Sequence, residues 1–115
     1  MTGNIPERFE DVGVICKANV YFEGRVVSHT LLFKDGRKKT IGVIQPGSYN
    51  FKTDDPEKME ITAGSCRVRQ AEEGQWESYQ AGAFFIVPGR SSFDITVGEG
   101  IVQYICSFET HSDKT

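Results

Sequence analysis

The stretch Gly47-Ser48-Tyr49-Asn50-Phe51-Lys52-Thr53 decides the fold class of this chain. A Gln45-Pro46-Gly47 turn precedes it, and aromatic residues alternate with polar ones along its middle. Alternation over a short run that is bounded by turn residues is typical of a β-strand. We therefore predict a strand over residues 48–53.

Segments of the same kind recur along the whole chain. Between the 12 glycines and 4 prolines lie short runs rich in Val, Ile, Phe, Tyr and Thr, and none of them keeps a helical period. The predicted strands are 20–22, 25–33, 40–45, 48–53, 59–63, 66–70, 76–79, 83–87, 92–97 and 101–108. Only Asp54-Asp55-Pro56-Glu57 has the composition to start a helical turn. The sequence therefore predicts an all-β antiparallel fold, either a sandwich or a barrel.

Length and charge limit the classes of function. A chain of 115 residues corresponds to one domain, in which we expect an N-terminal extension over 1–18, a barrel over 19–110 and a flexible tail over 111–115. The net charge of −3, with no long block of one sign, argues against nucleic-acid binding. The apolar runs are too short to span a membrane, and residues 1–10 lack the apolar core of a signal peptide. We therefore expect a cytoplasmic protein.

The cysteines and histidines argue against a disulfide framework and against a metal centre. Cys16, Cys66 and Cys106 are odd in number and widely spaced, which fits reduced thiols. The two histidines are His29 and His111, too few for a histidine-rich metal site. We interpret His29 as a surface or hydrogen-bonded strand residue in preference to a catalytic one.

Residues 47–64 resemble the first signature of the cupin barrels. That signature consists of a glycine, a strand carrying two histidines, a glutamate and a second glycine. Glu57 and Gly64 keep its glutamate-to-glycine spacing, whereas Phe51 and Thr53 stand where the two histidines would be.

Residues 82–88 resemble the start of the second cupin signature, whose histidine would fall at Phe93. The resemblance implies a cupin-like, jelly-roll type barrel whose metal ligands have been replaced. It also implies which side chains face the interior, because side chains alternate along a strand. These inward residues would be Tyr49, Phe51, Thr53 and Phe93.

A longer series of short motifs resembles the small cupin-like pyrimidine/purine nucleoside phosphorylase family over residues 18–108. The motifs are Tyr21-Phe22-x-Gly24-x-Val26-x-Ser28, Gly42-Val43, Gly47-x-Tyr49-x-Phe51-x-Thr53, Pro56-Glu57-x-Met59, Trp76-x-x-Tyr79-x-Ala81-Gly82-x-Phe84, Val87-Pro88, Ser91-x-Phe93 and Tyr104-x-Cys106. The resemblance implies a homodimer that cleaves purine and pyrimidine nucleosides with phosphate, giving the free base and a pentose 1-phosphate. It also implies that phosphate is a cosubstrate and that neither a metal nor another cofactor is needed.

Phosphorolysis needs a site for a phosphate dianion. Arg90-Ser91-Ser92 follows the tight Pro88-Gly89 turn and offers a guanidinium, two hydroxyls and backbone N–H groups. Arg67 is the main competitor, and Lys52 and Arg69 lie on nearby predicted strands. The alternative interpretation of the Arg90 loop is an ordinary hairpin with a solvent-facing arginine.

Phosphorolysis also needs groups that hold the sugar. Glu57 stands where the cupin signature aims a carboxylate into the barrel, so we predict that it is catalytic and binds ribose hydroxyls. Its alternative role is to cap the Asp55-Pro56 turn. We predict the second catalytic contact at Thr53, whose hydroxyl would hold a sugar hydroxyl or else bond to a backbone carbonyl.

Aromatic residues are the candidates for base binding. We expect Tyr49, Phe51, Phe93 and Tyr104 at or near the interior, where aromatic faces would stack on purines and pyrimidines alike. The alternative is that they form the packed core. We interpret Cys106 as a core residue, since nothing basic stands beside it in the sequence.

Two other functions compete with a nucleoside phosphorylase. The first is a non-catalytic, metal-free cupin that binds a small aromatic ligand. The second is a metal-dependent cupin, which the missing histidines disfavour.

Overall fold

The fold was analysed in a computed structural model, which describes residues 5–71 and 74–108. These residues form eleven β-strands and one short 3₁₀ turn, Phe22–Gly24. The strands are β1 (Gly13–Val14), β2 (Asn19–Tyr21), β3 (Val26–Leu32), β4 (Lys38–Ile44), β5 (Gly47–Lys52), β6 (Glu57–Ala63), β7 (Ser65–Arg69), β8 (Glu77–Gln80), β9 (Phe84–Val87), β10 (Ser92–Val97) and β11 (Val102–Phe108). The predicted all-β class is confirmed.

The strands form two antiparallel sheets. The large sheet has the order β1-β3-β4-β11-β6-β9, with β2 also paired to β3, and the small sheet has the order β5-β10-β7-β8. The sheets pack against each other through one core, which draws Val26 and Ile61 from the large sheet and Ile95 and Val68 from the small one. The described residues form two separate sheets with no hydrogen-bonded closure into a barrel.

Each predicted strand has a counterpart, but two local predictions are wrong. No helical turn begins at Asp54: the chain bends at Asp54 and Asp55, and Glu57 is already the first residue of β6, paired with Phe108 and Val87. The sheet takes this segment because both neighbouring strands offer it a hydrogen-bonding edge. Phe22, predicted to end a strand, lies instead in the 3₁₀ turn.

Part of the predicted N-terminal extension belongs to the large sheet. The two-residue strand β1 pairs with Leu31 and Leu32 of β3. The ring of Phe9 packs edge-on against Phe33 at a centroid distance of 5.2 Å. The segment 5–14 therefore lies against the face of the large sheet that points away from the small sheet.

Register on the large sheet places its inward side chains in rows that cross the strands. Ser28, Gly42, Tyr104 and Ile61 form one row. Thr30, Thr40, Cys106 and Met59 form the next. Beyond them lie Lys38, opposite Leu32, and Glu57, opposite Phe108. The inward face thus changes from apolar to polar toward one end of the sheet.

No helix in the described part of the chain is long and apolar enough to cross a membrane. The predicted tail 111–115, with His111, lies outside the described residues.

Candidate functional site

A small cavity lies between the two sheets at the polar end of the rows. Its volume is about 170 Å³. It is lined by Tyr21, Ser28, Thr40, Ile44, Phe51, Lys52, Glu57, Met59, Phe93, Tyr104, Cys106 and Phe108. The large sheet supplies its hydroxyl, thiol and carboxyl groups, and the small sheet supplies two phenyl rings.

The cavity continues into a wider mouth of about 1020 Å³. Both spaces are lined by Tyr21, Thr40, Lys52, Glu57 and Phe108, so they are continuous. Ligand sites in proteins usually measure about 300–1,000 Å³. A ligand of nucleoside size would therefore occupy the inner cavity and part of the mouth together.

Glu57 is the carboxyl group of the inner cavity. As the first residue of β6 it stands at the boundary between the cavity and the mouth. Burial raises the pKa of this carboxyl above its ordinary value of 4.5, and the negative charges of Asp54 and Asp55 raise the pKa further. The Cys106 thiol opposes them in part by hydrogen bonding to the carboxylate.

Tyr104 and Ser28 lie together at the inner end of the cavity. The Tyr104 hydroxyl is close enough to Gly42 that a Cβ added there would lie 2.6 Å from it and 2.8 Å from the Cβ of Ser28. Burial raises the pKa of the Tyr104 phenol, so the group stays protonated and available as a donor near neutral pH. Gly42 is required because Tyr104 crosses over its backbone.

Burial also raises the pKa of the Cys106 thiol, and the charge of Glu57 raises it further. A thiol with a raised pKa is a poor nucleophile. Burial alone raises the pKa of Cys66, which lies in the core under the small sheet, to about 11. Neither buried thiol has the environment of a reactive cysteine, as the sequence interpretation of Cys106 expected.

The side chains predicted to point inward from the small sheet do so at Tyr49, Phe51 and Phe93. Phe51 and Phe93 are cross-strand partners whose rings stack at a centroid distance of 5.5 Å and an angle of 28°. Both line the cavity. Tyr49 is buried in the core, and its hydroxyl donates to the backbone carbonyls of Gln45 and Pro46 at 2.9 and 3.0 Å. Among the predicted base-binding residues, Tyr49 is thus the one held away from the cavity.

The 3₁₀ turn covers this aromatic cluster from outside. Phe22 and Glu23 adopt positive φ angles of 52° and 58°, which non-glycine residues rarely do. The ring of Phe22 contacts Tyr49 at 5.0 Å and Phe51 at 5.4 Å. These contacts offset the backbone strain and hold neighbouring Tyr21 over the cavity.

Thr53 lies outside the cavity and ties down a loop. Its hydroxyl donates to the carbonyl of Pro88 at 2.7 Å and accepts from the backbone N–H of Ser91 at 3.0 Å. Its own N–H donates to the carbonyl of Ser91 at 2.9 Å. Of the two roles predicted for this hydroxyl, the structure displays the bond to a backbone carbonyl.

The four residues predicted to bind phosphate are not brought together. Arg67 and Ser92 lie on the outer face of the small sheet, because Cys66, Val68 and Phe93 beside them point inward. The guanidinium of Arg67 lies 5.7 Å from the centre of the Trp76 ring. This contact holds Arg67 on the outside of the fold.

Arg90 and Ser91 lie in the loop between β9 and β10, next to the mouth. The N–H of Arg90 donates to the carbonyl of Asp54, which lines the mouth, at 3.2 Å. Neither Arg90 nor Ser91 lines the cavity or the mouth. The phosphate role of all four residues stays a prediction.

His29 has the role interpreted from the sequence. It lies on β3, and its Nδ1 is 3.2 Å from the carbonyl oxygen of Ile15, which accepts a hydrogen bond from it. In residues 5–71 and 74–108, no three His, Cys, Asp or Glu side chains are grouped so that they could hold a metal ion.

Several cavity and mouth residues were not predicted from the sequence. They are Asn19, Tyr21, Ser28, Thr30, Lys38 and Thr40. Alternation along β3 and β4 could place some of them on a common face. Which of them lie near Glu57 depends on the register of β3, β4, β11 and β6. The sequence pattern of these short polar residues does not indicate that register.

Comparison with known proteins assigns this chain to a family. A family model described as pyrimidine/purine nucleoside phosphorylase matches residues 16–108. A relative of that name from Cupriavidus taiwanensis is 55% identical over 102 residues, covering 89% of this chain and 96% of the relative. Another from Burkholderia vietnamiensis is 52% identical over 101 residues, covering 88% of this chain and 94% of the relative.

A solved structure agrees with the family assignment. The crystal structure of a protein of unknown function (DUF1255) from Acinetobacter sp. ADP1 superposes with a TM-score of 0.85 and 47% sequence identity, covering 89% of this chain and 98% of the other. Because the family model spans most of the chain and the relatives match it nearly end to end, this chain belongs to the pyrimidine/purine nucleoside phosphorylase family.

Proposed function

We infer that the chain is a pyrimidine/purine nucleoside phosphorylase, which splits nucleosides with phosphate into a free base and a pentose 1-phosphate. The observation that carries this inference is the 52% and 55% identity to relatives of that name over most of the chain. The cavity supports it with a carboxyl group on one sheet and stacked phenyl rings on the other.

The reaction exchanges one bond at the anomeric carbon. A phosphate oxygen forms a bond to C1′ while the N-glycosidic bond breaks, and the electron pair of that bond goes to the base nitrogen, which takes up a proton. Positive charge develops on the sugar in the transition state, where the bond to the base is largely broken and the bond to phosphate is only partly formed. The Glu57 carboxylate is suited to accept hydrogen bonds from ribose hydroxyls and to stabilise this charge.

The base stacks against Phe51 and Phe93. Stacking needs a flat face and no particular hydrogen-bond pattern, which accounts for broad specificity toward purines and pyrimidines. Tyr104 assists from the opposite sheet as a protonated hydroxyl, and Tyr49 supports the aromatic cluster through its contact with Phe22. Thr53 serves the site through the loop that it holds.

The reaction proceeds without a metal or another cofactor, with phosphate as cosubstrate. Phe51, Thr53 and Phe93 occupy the positions at which cupin signatures carry imidazole ligands, and none of these side chains replaces one. Two facing antiparallel sheets with a cavity at one end also support a cupin-like jelly-roll barrel spanning residues 19–110.

The protein works as a homodimer in the cytoplasm. The outer face of the large sheet exposes Val14 and Ile41, and a groove of about 1040 Å³ runs between segment 5–14 and this face. Exposed apolar surface of this kind marks an interface, and a second copy would cover it. Light scattering on the purified protein tests this, with Ile41→Glu expected to give monomers and Ser78→Glu, at an exposed polar position on the small sheet, as control.

Base release with and without phosphate tests the activity. Purified protein is incubated with adenosine or uridine, and base and pentose 1-phosphate are quantified by chromatography. The expected result is equimolar formation of both products only when phosphate is present. A non-catalytic binder of aromatic ligands would return the nucleoside unchanged, which would overturn the inference.

A further inference from the structure

We propose that the phosphate dianion binds at the mouth on the large sheet, held by the Lys38 ammonium and the Thr30 hydroxyl, beside Thr40. This inference rests on the proposed phosphorylase function and assigns its anion site. All three residues line the mouth, and Thr40 also lines the inner cavity.

Strand register brings the three side chains to one place. Thr30 of β3 is directly opposite Thr40 of β4, and Lys38 precedes Thr40 by two residues on the same strand. Residues two apart on a strand point to the same face. That face is the inward one, since Gly42, the next residue of this series, lies under Tyr104. Two hydroxyls and one ammonium therefore converge at the end of adjacent strands.

The Thr40 hydroxyl hydrogen bonds to the Cys106 thiol, so Thr30 is the hydroxyl that keeps a donor for an anion. The Asn19 side-chain amide donates to the hydroxyl oxygens of Ser28 and Thr30, both at 3.2 Å. The Thr30 oxygen thus acts as an acceptor, and its own proton is left for another group. The Thr30 hydroxyl donates no side-chain hydrogen bond within the described residues. Phosphate offers several strong acceptor oxygens for this proton.

The distribution of charges singles out Lys38. Five cationic side chains line the mouth: Arg37, Lys38, Lys39, Lys52 and Lys58. Three of them have partners within the described residues. Arg37 pairs with Asp35 at 2.8 Å, Lys58 lies 3.8 Å from Glu60, and Lys39 donates to the Ser107 hydroxyl at 2.7 Å.

Lys38 and Lys52 remain without an ion pair or a side-chain hydrogen bond among those residues. Lys52 lies on β5 of the small sheet, from which its side chain reaches both the cavity and the mouth. Lys38 belongs to the inward series of β4. It is therefore the unpaired cation on the face that carries the free hydroxyl.

The proposed phosphate site lies at a distance from Glu57 that a pentose can span. Strand β11 separates β4 from β6, so Lys38 and Glu57 are two strand spacings apart, about 10 Å. A pentose fits between an anion on one side and a carboxylate on the other. The separation also keeps the phosphate away from the negative charge of Glu57.

The Arg90 loop lacks backbone donors that the sequence suggested for it. The N–H groups of Arg90 and Ser91 already donate to Asp54 and Thr53. The Arg90 side chain is exposed and lines neither the mouth nor the cavity. The loop retains the guanidinium and the Ser91 and Ser92 hydroxyls for an anion, but neither of these two backbone N–H groups.

Steady-state kinetics with inorganic phosphate tests the assignment. Lys38→Gln is expected to raise the KM for phosphate by about tenfold or more, the loss typical of one charge-assisted hydrogen bond. The KM for nucleoside should change less than about twofold, because a neutral nucleoside makes no charge pair. Lys38→Arg should retain most of the phosphate affinity, and Thr30→Val should raise the phosphate KM by about threefold to tenfold.

Lys34→Gln is the matched control, since it removes an exposed cation of the turn after β3 that lines neither the mouth nor the cavity. The phosphate KM of this variant should stay that of the parent protein. Phosphate binding without nucleoside, followed by ³¹P line broadening, should weaken in Lys38→Gln and not in Lys34→Gln.

Two failures are distinguishable. If the parent protein releases base with phosphate but Lys38→Gln and Thr30→Val keep its phosphate KM, the anion site is elsewhere and this assignment is overturned. An increase confined to Arg90→Gln would place the anion at the Arg90 loop. If the parent protein releases no base with phosphate, the proposed function itself fails.

Discussion

The hydroxyl of Tyr104 occupies the space that a side chain at position 42 would need: a Cβ on Gly42 would lie 2.6 Å from that oxygen. We therefore expect Gly42→Ala to displace the tyrosine ring and to lower the free energy of unfolding by about 1–3 kcal/mol, as overpacking does. Urea unfolding measures this. Gly98→Ala is the control, because a Cβ there has nothing within 4 Å, and it should change stability by less than about 0.5 kcal/mol. Equal stability of the two variants would contradict the close contact.

Glu57→Gln is expected to reduce kcat by about 100-fold or more while leaving the fold intact, since the carboxylate acts on charge that develops in the transition state. Stability at neutral pH should be unchanged or higher, because burial disfavours the ionised carboxyl in the folded protein. Glu99→Gln, at an exposed turn residue, is the control and should retain full activity. Unfolding of Glu57→Gln would make Glu57 a structural residue instead.

The pH dependence of activity should follow the raised pKa of Glu57. The folded protein binds this proton more tightly than the unfolded chain, so this group's contribution to stability falls as pH rises from 4.5 through the folded-state pKa. If the ionised form is needed, the acidic limb of kcat/KM lies above pH 4.5. The double variant Asp54→Asn, Asp55→Asn should move that limb to lower pH by removing two repelling charges.

Asp35→Asn is the control for that experiment, because Asp35 lines the mouth but is paired with Arg37. It should leave the acidic limb in place. A limb that moves equally in both variants would show that general charge at the mouth, and not the neighbours of Glu57, sets the pH dependence.

Thr53→Val should lower the free energy of unfolding by about 1–2 kcal/mol, because it leaves the partly buried Pro88 carbonyl and Ser91 N–H without their partner. Thr53→Ser keeps the hydroxyl and should retain most of that stability. Urea unfolding and steady-state kinetics are compared for both variants. A Thr53→Val protein of normal stability that has lost turnover would instead place the Thr53 hydroxyl on the sugar.

The purified protein should contain no stoichiometric metal, and a chelator should leave phosphorolysis unchanged. The reason is that Phe51, Thr53 and Phe93 stand at the positions of imidazole ligands. Elemental analysis with activity assays before and after dialysis against chelator measures both properties. About one Zn, Fe or Mn per chain would contradict the metal-free mechanism.

Strand positions could be predicted because Gly and Pro turns separate runs with a period of two, as between Gln45 and Thr53. The strand β1 escaped prediction because two residues carry no period. The turn expected at Asp54 failed for a tertiary reason. The Asp54 carbonyl accepts from Arg90 and Glu57 pairs in the sheet, so these contacts override a local preference.

Glu57 could be singled out from its spacing to Gly64, and the structure places it at the cavity. The hydroxyls of Thr30 and Thr40 could not, because two threonines ten residues apart become neighbours only through strand pairing. The bulge between Gln103 and Tyr104 further shifts β11 against β6. Such a shift sets which residues face Glu57, and sequence alternation does not record it.

The large sheet supplies the hydroxyl, thiol and carboxyl groups of the cavity and the small sheet supplies the stacked pair Phe51 and Phe93, which makes base preference and chemistry separately adjustable. Substitutions at Phe51 and Phe93 change the surface that a base meets, and they lie on strands that hold neither Glu57 nor Lys38. A library confined to these two positions could therefore be screened for altered nucleobase preference while Glu57 and Lys38 stay unchanged. In the same way, substitutions in the small sheet alone could give family members with different nucleoside preferences.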